Sequence, residues 1–118
     1  YPMTNSQMTW KAMNSAAILN IKTLASKYGC KVMVCEVGVK ASASEIATST
    51  QCLTDFMNSV KSLSVCAGVF YWEPQVDGKW RPAIYEKQGR NWGAYDMGAF
   101  TSDGSAITPT SILSAFGE

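Results

Sequence analysis

Two glutamates stand where α/β proteins usually do their chemistry. Glu36 closes the apolar run Lys31-Val-Met-Val-Cys-Glu36 and is followed by Val37 and Gly38. Glu73 closes Cys66-Ala-Gly-Val-Phe-Tyr-Trp-Glu73 and is followed by Pro74. Neither run alternates polar with apolar residues, so each reads as a strand covered on both faces, as parallel strands between helices are. A charge straight after such a strand lies at its C-terminal end, the edge at which α/β folds place their active groups. Neighbouring strands run about 4.8 Å apart, so two parallel strands ending in Glu36 and Glu73 put both carboxylates on one rim. Carboxylates so placed can divide the work, one ionised and one holding a proton. The plainer reading of a strand-end glutamate is an exposed acid that opens a loop. For Glu73, three roles stay open: structural hydrogen bonding, contact with substrate or an ion, and acid/base work.

The elements that must position these residues are legible around them. Tyr1-Pro2 suits a strand end or loop. Met13, Ala17, Ile21, Leu24, Ala25 and Tyr28 then recur at three- and four-residue steps, one apolar stripe of a helix that Gly29 stops. After the Glu36 strand, residues 38–44 are small and polar, with serines able to cap a second helix. Its face is marked by Ile46, Leu53, Phe56, Met57, Val60 and Leu63. The order helix, strand, helix, strand contains a βαβ unit with parallel strands and a right-handed crossover. From Gln75 to Tyr95 the chain is polar and aromatic, and a connection that long usually carries binding function. Trp72, Trp80 and Trp92 are candidates for stacking on sugar faces, with core packing the competing role for Trp92. The stretch 98–104 reads as an extended piece and a turn. Thr108-Pro109-Thr110-Ser111 then opens a last short helix with Pro at an early position, anchored by Ile112, Leu113 and Phe116.

The 118 residues make one ordinary domain's length, and a net charge of +1 from scattered basic residues offers no purchase on nucleic acid or an anionic membrane. No window approaches the roughly 18 apolar residues of a membrane span, and the start lacks the basic-then-apolar order of a signal peptide. The chain begins Tyr-Pro and not Met, which points to a processed precursor or a piece of something longer. Cys30, Cys35, Cys52 and Cys66 form no CxxC pair and there is no histidine, so a zinc site is disfavoured and no cofactor is implied. Buried thiols are the expectation. Cys30 and Cys66 each precede a strand and can bridge only if the strands are neighbours in suitable register.

A βαβ unit with bare strand edges is a poor independent domain, so something must pair with it. Taken together, Val32-Met-Val-Cys-Glu36, Gly68-Val-Phe-Tyr-Trp-Glu-Pro74 and Trp92-x-x-Tyr95-x-x-Gly98-Ala-Phe100 resemble the last quarter of the family-53 glycoside hydrolases, the arabinogalactan endo-β-1,4-galactanases. The resemblance runs from Tyr1-Pro2 to the terminal helix. It implies a TIM (β/α)8 barrel, with Tyr1-Pro2 at the end of strand 6, Lys31 to Glu36 as strand 7 and Ala67 to Trp72 as strand 8. The chain is then a single partial domain, residues 1–118, the C-terminal quarter of the barrel. By the same resemblance the enzyme retains anomeric configuration, Glu36 is its nucleophile, and the acid/base glutamate belongs to strand 4, which has no counterpart in this chain. Trp72 would floor the sugar site, Tyr1 would hydrogen-bond the nucleophile, and Glu73 would be a rim feature, while Trp80 stays a candidate substrate contact from its place in the long loop alone. A retaining glycosidase needs its two carboxyl groups roughly 5–5.5 Å apart, a separation the strand spacing alone allows for Glu36 and Glu73. The resemblance nonetheless gives the second role to a distant strand.

The chain departs from the family after Tyr-Pro, where an aromatic pair is usual and Met3-Thr4 stands. The expected partners are β-1,4-galactan and either the remainder of the barrel or further copies of the chain, and the expected location is secreted or in a bacterial cell envelope. Two other functions are compatible with these residues: a non-catalytic carbohydrate-binding or interaction module, and a related barrel hydrolase acting on another β-linked polysaccharide.

Overall fold

In the computed structural model, which describes residues 1–3, 7–75, 83–89, 97–103 and 105–117, the elements follow the expected order. They are α1 (Trp10–Tyr28), β1 (Val32–Val37), α2 (Ile46–Lys61), β2 (Cys66–Tyr71), the short α3 (Ala83–Lys87), β3 (Phe100–Ser102), β4 (Ile107–Pro109) and a final 3₁₀ helix (Ser111–Phe116). α1 starts at Thr9, whose hydroxyl accepts the Ala12 N–H, and ends at Gly29, left-handed at φ 62°, whose N–H reaches the Ala25 carbonyl. α2 begins without a side-chain cap. The carbonyl of Ser42 accepts from the Glu45 and Ile46 amides, so the expected serine capping is done by backbone, with the Ser42 hydroxyl on the Glu45 carboxylate.

β1 and β2 pair in parallel, as the crossover requires, and Val32 faces Cys66 while Val37 faces Tyr71. Between these ends the register slips twice. One step on β1 (Val32 to Met33) answers two on β2 (Cys66 to Gly68), and later three steps on β1 (Val34 to Val37) answer two on β2 (Val69 to Tyr71). The two slips cancel, and the second leaves Cys35 and Glu36 together opposite Phe70. An extra residue of this kind re-aims the side chains around it.

The core lies on one side of the sheet. Leu53, Val39, Cys52 and Ile112 are fully buried, and the half-buried Val32, Val34, Val69 and Tyr71 pack against that cluster. A fully buried leucine contributes roughly 2 kcal/mol from apolar area alone. α1 and α2 are locked by Asn14, 3% exposed, whose amide donates to the Cys52 carbonyl and to Asp55 Oδ2, both at 2.9 Å. The 3₁₀ helix closes the far side through Ile112 and Ala115, with the Thr50 and Ser111 hydroxyls 2.9 Å apart.

Several expectations need correction. The strands are not covered on both faces: Met33 is 48% and Phe70 59% exposed, and Cys35 is exposed beside them. Among the described residues, helices pack on the Val32–Val34–Val69–Tyr71 side and no third strand joins β1 and β2. Of the α1 stripe, Leu24 and Tyr28 are exposed and Asn14 is buried in their stead. All four cysteines are free, and Cys30 and Cys35 are exposed, so only Cys52 matches the fully buried reading. Pro109 belongs to β4, paired with Phe100, and the last helix starts after it with Thr110 as cap. No helix among the described residues is long and apolar enough to cross a membrane.

Candidate active site

Glu36 is the penultimate residue of β1, one residue earlier than a strand-end acid, and its carboxylate is exposed at the rim. Its aim comes from the register slip at Cys35–Glu36, a feature of the pairing with β2 that β1 does not carry by itself. The phenol of Tyr1, thirty-five residues away in sequence, donates to Glu36 Oε2 at 3.0 Å. The Tyr1 ring lies against Gly38, so close that a β-carbon there would come 2.9 Å from its Cε1.

That phenol is held protonated. Partial burial, the hydrogen bond to Glu36 and the negative charges of Glu36 and Glu73 push Tyr1 from its ordinary 10 up to about 12. At neutral pH Tyr1 is therefore a donor, and Glu36 receives its proton without taking it. The charge of Glu73 adds a smaller push in the same direction.

Trp72 follows β2 directly. Its backbone N–H donates to the Val37 carbonyl at 2.9 Å, extending the ladder by one bond past the strand, and the residue is half-buried. At Glu73 the chain leaves the sheet with φ 45°, the left-handed region that a residue with a β-carbon enters at a cost. The turn is tied down beyond it by the Ala99 N–H on the Pro74 carbonyl. Trp80, Trp92 and Tyr95 lie outside the described residues.

Tyr71, on the helix-facing side of β2, joins the loops behind the rim. Its hydroxyl is 2.7 Å from the Met97 carbonyl and 3.1 Å from that of Gly98, and it accepts the Val39 N–H at 3.2 Å. Burial pushes this phenol up to about 12 as well. Its ring meets Phe116 edge-on with centroids 6.1 Å apart. Sequence reading treats Tyr71 only as a strand residue and Gly38 only as the end of a strand. Tyr71 lies two residues after Val69 with the exposed Phe70 between them, and that period of two is the sequence signal for its helix-facing side.

A pocket of about 100 Å³ opens beside Glu36, between Tyr1 and the α1 residues Met13, Asn14 and Ala17. Sites that enclose a small molecule run to about 300 Å³ or more, so this pocket holds a few waters and not a sugar. The described residues thus bring a carboxylate, its phenol donor and a half-buried tryptophan to one end of the sheet. Among them no group of three or more metal-ligating side chains is found.

No curated protein matches the chain. A family model does, over residues 1–113, and that stretch contains the whole rim just described. Its members are glycoside hydrolases built on a TIM barrel, and the small α/β unit of this chain is consistent with part of one. By this match the chain belongs to glycosyl hydrolase family 53.

Proposed function

We propose that this chain supplies the nucleophile half of a retaining endo-β-1,4-galactanase, with Glu36 as the nucleophile. The observation that carries the reading is the Tyr1–Glu36 hydrogen bond at the exposed rim of a parallel strand. A phenol that stays protonated to about pH 12 holds Oε2 in place and leaves Oε1 to face the sugar. In the first step Oε1 attacks the anomeric carbon while the bond to the leaving oxygen breaks and that oxygen takes a proton from the acid carboxyl. In the second step water displaces the carboxylate and returns a proton to the same acid. Trp72 provides the apolar floor for the sugar ring, since its backbone is fixed beside Val37.

The acid/base group is assigned to a part of the barrel outside this chain, strand 4. β1 and β2 take the places of strands 7 and 8, and Tyr1-Pro2 the end of strand 6. The bare Met33–Cys35–Phe70 face and the unpaired sheet edges are then the surfaces that the other strands cover. Glu73 is a rim contact for the substrate. A polymeric substrate places the complete enzyme outside the cell or in its envelope.

Product analysis on β-1,4-galactan, mannan and xylan with the complete enzyme tests this reading. Galactan is cut to short oligosaccharides, the other polymers are spared, and Glu36→Ala abolishes release of reducing ends. Hydrolysis that survives Glu36→Ala contradicts the assignment, and cleavage of mannan or xylan in place of galactan contradicts the substrate. Galactan binding without cleavage, lost in Trp72→Ala but kept in Glu36→Gln, would instead mark a binding module.

A further inference from the structure

Gly38 has no torsional reason to be glycine. It is not among the residues at positive φ, where the glycines are Gly29, Gly68 and Gly89, so any residue can adopt its backbone. What it lacks is room. A β-carbon at position 38 would stand 2.9 Å from Tyr1 Cε1 and 3.2 Å from Cδ1, too close for either, and at an ordinary contact distance of 3.5 Å from the Met97 carbonyl oxygen. The Met97 carbonyl cannot retreat easily, because the half-buried Tyr71 hydroxyl holds it at 2.7 Å. The Tyr1 ring can, since it is 40% exposed.

We propose that Gly38 is a positioning residue for the glycosidic reaction: its missing side chain is the seat of the Tyr1 ring and sets the phenol on Glu36. The proposal rests on the reading of Glu36 as nucleophile. The Tyr71 hydroxyl holds the Met97 carbonyl on the loop beside position 38, and the bare Gly38 backbone leaves the room in which the Tyr1 ring sits with its phenol on Glu36. A methyl group at position 38 lifts the ring toward solvent and breaks the hydrogen bond before it disturbs the core. The charged and titratable groups that act on Tyr1 are Glu36 from β1, and Glu73 and Tyr71 from β2 and its end.

The test is a double-mutant cycle in the complete enzyme, reading kcat and KM on a galacto-oligosaccharide. Loss of a hydrogen bond to a charged group lowers kcat roughly 10- to 100-fold in Tyr1→Phe. Gly38→Ala is expected to fall as far with KM changed less than about twofold, and the double variant no further than Tyr1→Phe alone, because both break the same contact. In Gly38→Ala the Tyr1 phenol, followed by its ring-carbon resonance, titrates nearer its ordinary 10 than the native value of about 12. A Gly38→Ala enzyme with native kcat beside a damaged Tyr1→Phe overturns the inference and leaves the nucleophile reading intact, as do losses that multiply in the double variant. A Tyr1→Phe enzyme of native activity overturns the role of Tyr1 and this inference with it. Should Gly38→Ala prevent folding, Tyr1→Ala combined with Gly38→Ala must regain the melting temperature of Tyr1→Ala alone. Failure to regain it means that the Tyr1 ring is not what the added methyl group strikes, and overturns the proposal.

Discussion

The ends of β1 and β2 look alike in sequence, each an apolar run closed by a glutamate, yet the structure treats the two acids differently. Glu36 sits inside its strand, on backbone held by the sheet, and receives a fixed phenol at 3.0 Å. Glu73 sits two residues past its strand, on backbone forced to φ 45°, where its charge reaches Tyr1. A carboxylate held by a ladder and a donor is suited to attack one atom repeatedly. One carried on a strained turn is suited to contact and selection. The lesson is that position at a strand end nominates a residue, while the backbone beneath it and the group that touches it assign its work.

The largest effect that separates the two acids is kinetic. In the complete enzyme Glu36→Gln is expected to lower kcat at least about 10³-fold, as losing a covalent nucleophile does, whereas Glu73→Gln costs about tenfold or less and appears mainly in KM. Equal losses from the two substitutions, measured on the same substrate, would erase the distinction and make Glu73 a serious acid/base candidate.

A second prediction sharpens the contrast between the rim and the pocket behind it. Tyr71 is raised from 10 to about 12 by burial, so its neutral form is favoured in the native state. The corresponding stability is complete below pH 10 and is lost as pH rises through 12. Tyr1, raised to about 12, and Cys52, raised from 9 to about 11, add to the decline from pH 9 upward. Denaturant titrations at pH 9 to 12 should therefore show a steep alkaline loss. Tyr71→Phe should flatten it by on the order of 2 kcal/mol, although its stability near pH 7 is lower because the Met97 and Val39 bonds are gone. An unchanged alkaline slope would mean that the hydroxyl is not held in the pocket.

The smallest effect concerns strain. Replacing Glu73 by Gly removes the cost of the left-handed backbone and should stabilise the protein by about 1 kcal/mol while raising KM for polysaccharide. Stabilisation with unaltered KM would show that Glu73 has no substrate to meet.

Much of this arrangement was legible in the residues. Val32 to Cys35 and Cys66 to Tyr71 announce strands, the helical stripe between them forces a parallel crossover, and Gly-Val-Phe-Tyr-Trp-Glu-Pro in this setting named the family. Other features arise only between distant segments. The slip that aims Glu36 depends on an opposite slip at Ala67 on the other strand, and no local pattern in Val32–Val37 contains it. Asn14 stands where the periodicity asks for an apolar side chain, because two acceptors on α2, the Cys52 carbonyl and Asp55, satisfy its amide there. Gly38 looks like a strand breaker until the Tyr1 ring is found against it. Met33 and Phe70, expected under cover on both faces of the sheet, are exposed, because the described helices pack on the opposite face.

The central claim, that Glu36 attacks the sugar, is tested most directly by trapping the covalent intermediate. The complete enzyme is treated with an activated 2-deoxy-2-fluoro-galactoside, digested, and its peptides weighed. A fluorosugar found on the peptide spanning Lys31 to Lys40, with fragmentation placing it on Glu36, is the predicted result. A label on Glu73, or on any other carboxylate, would contradict the account.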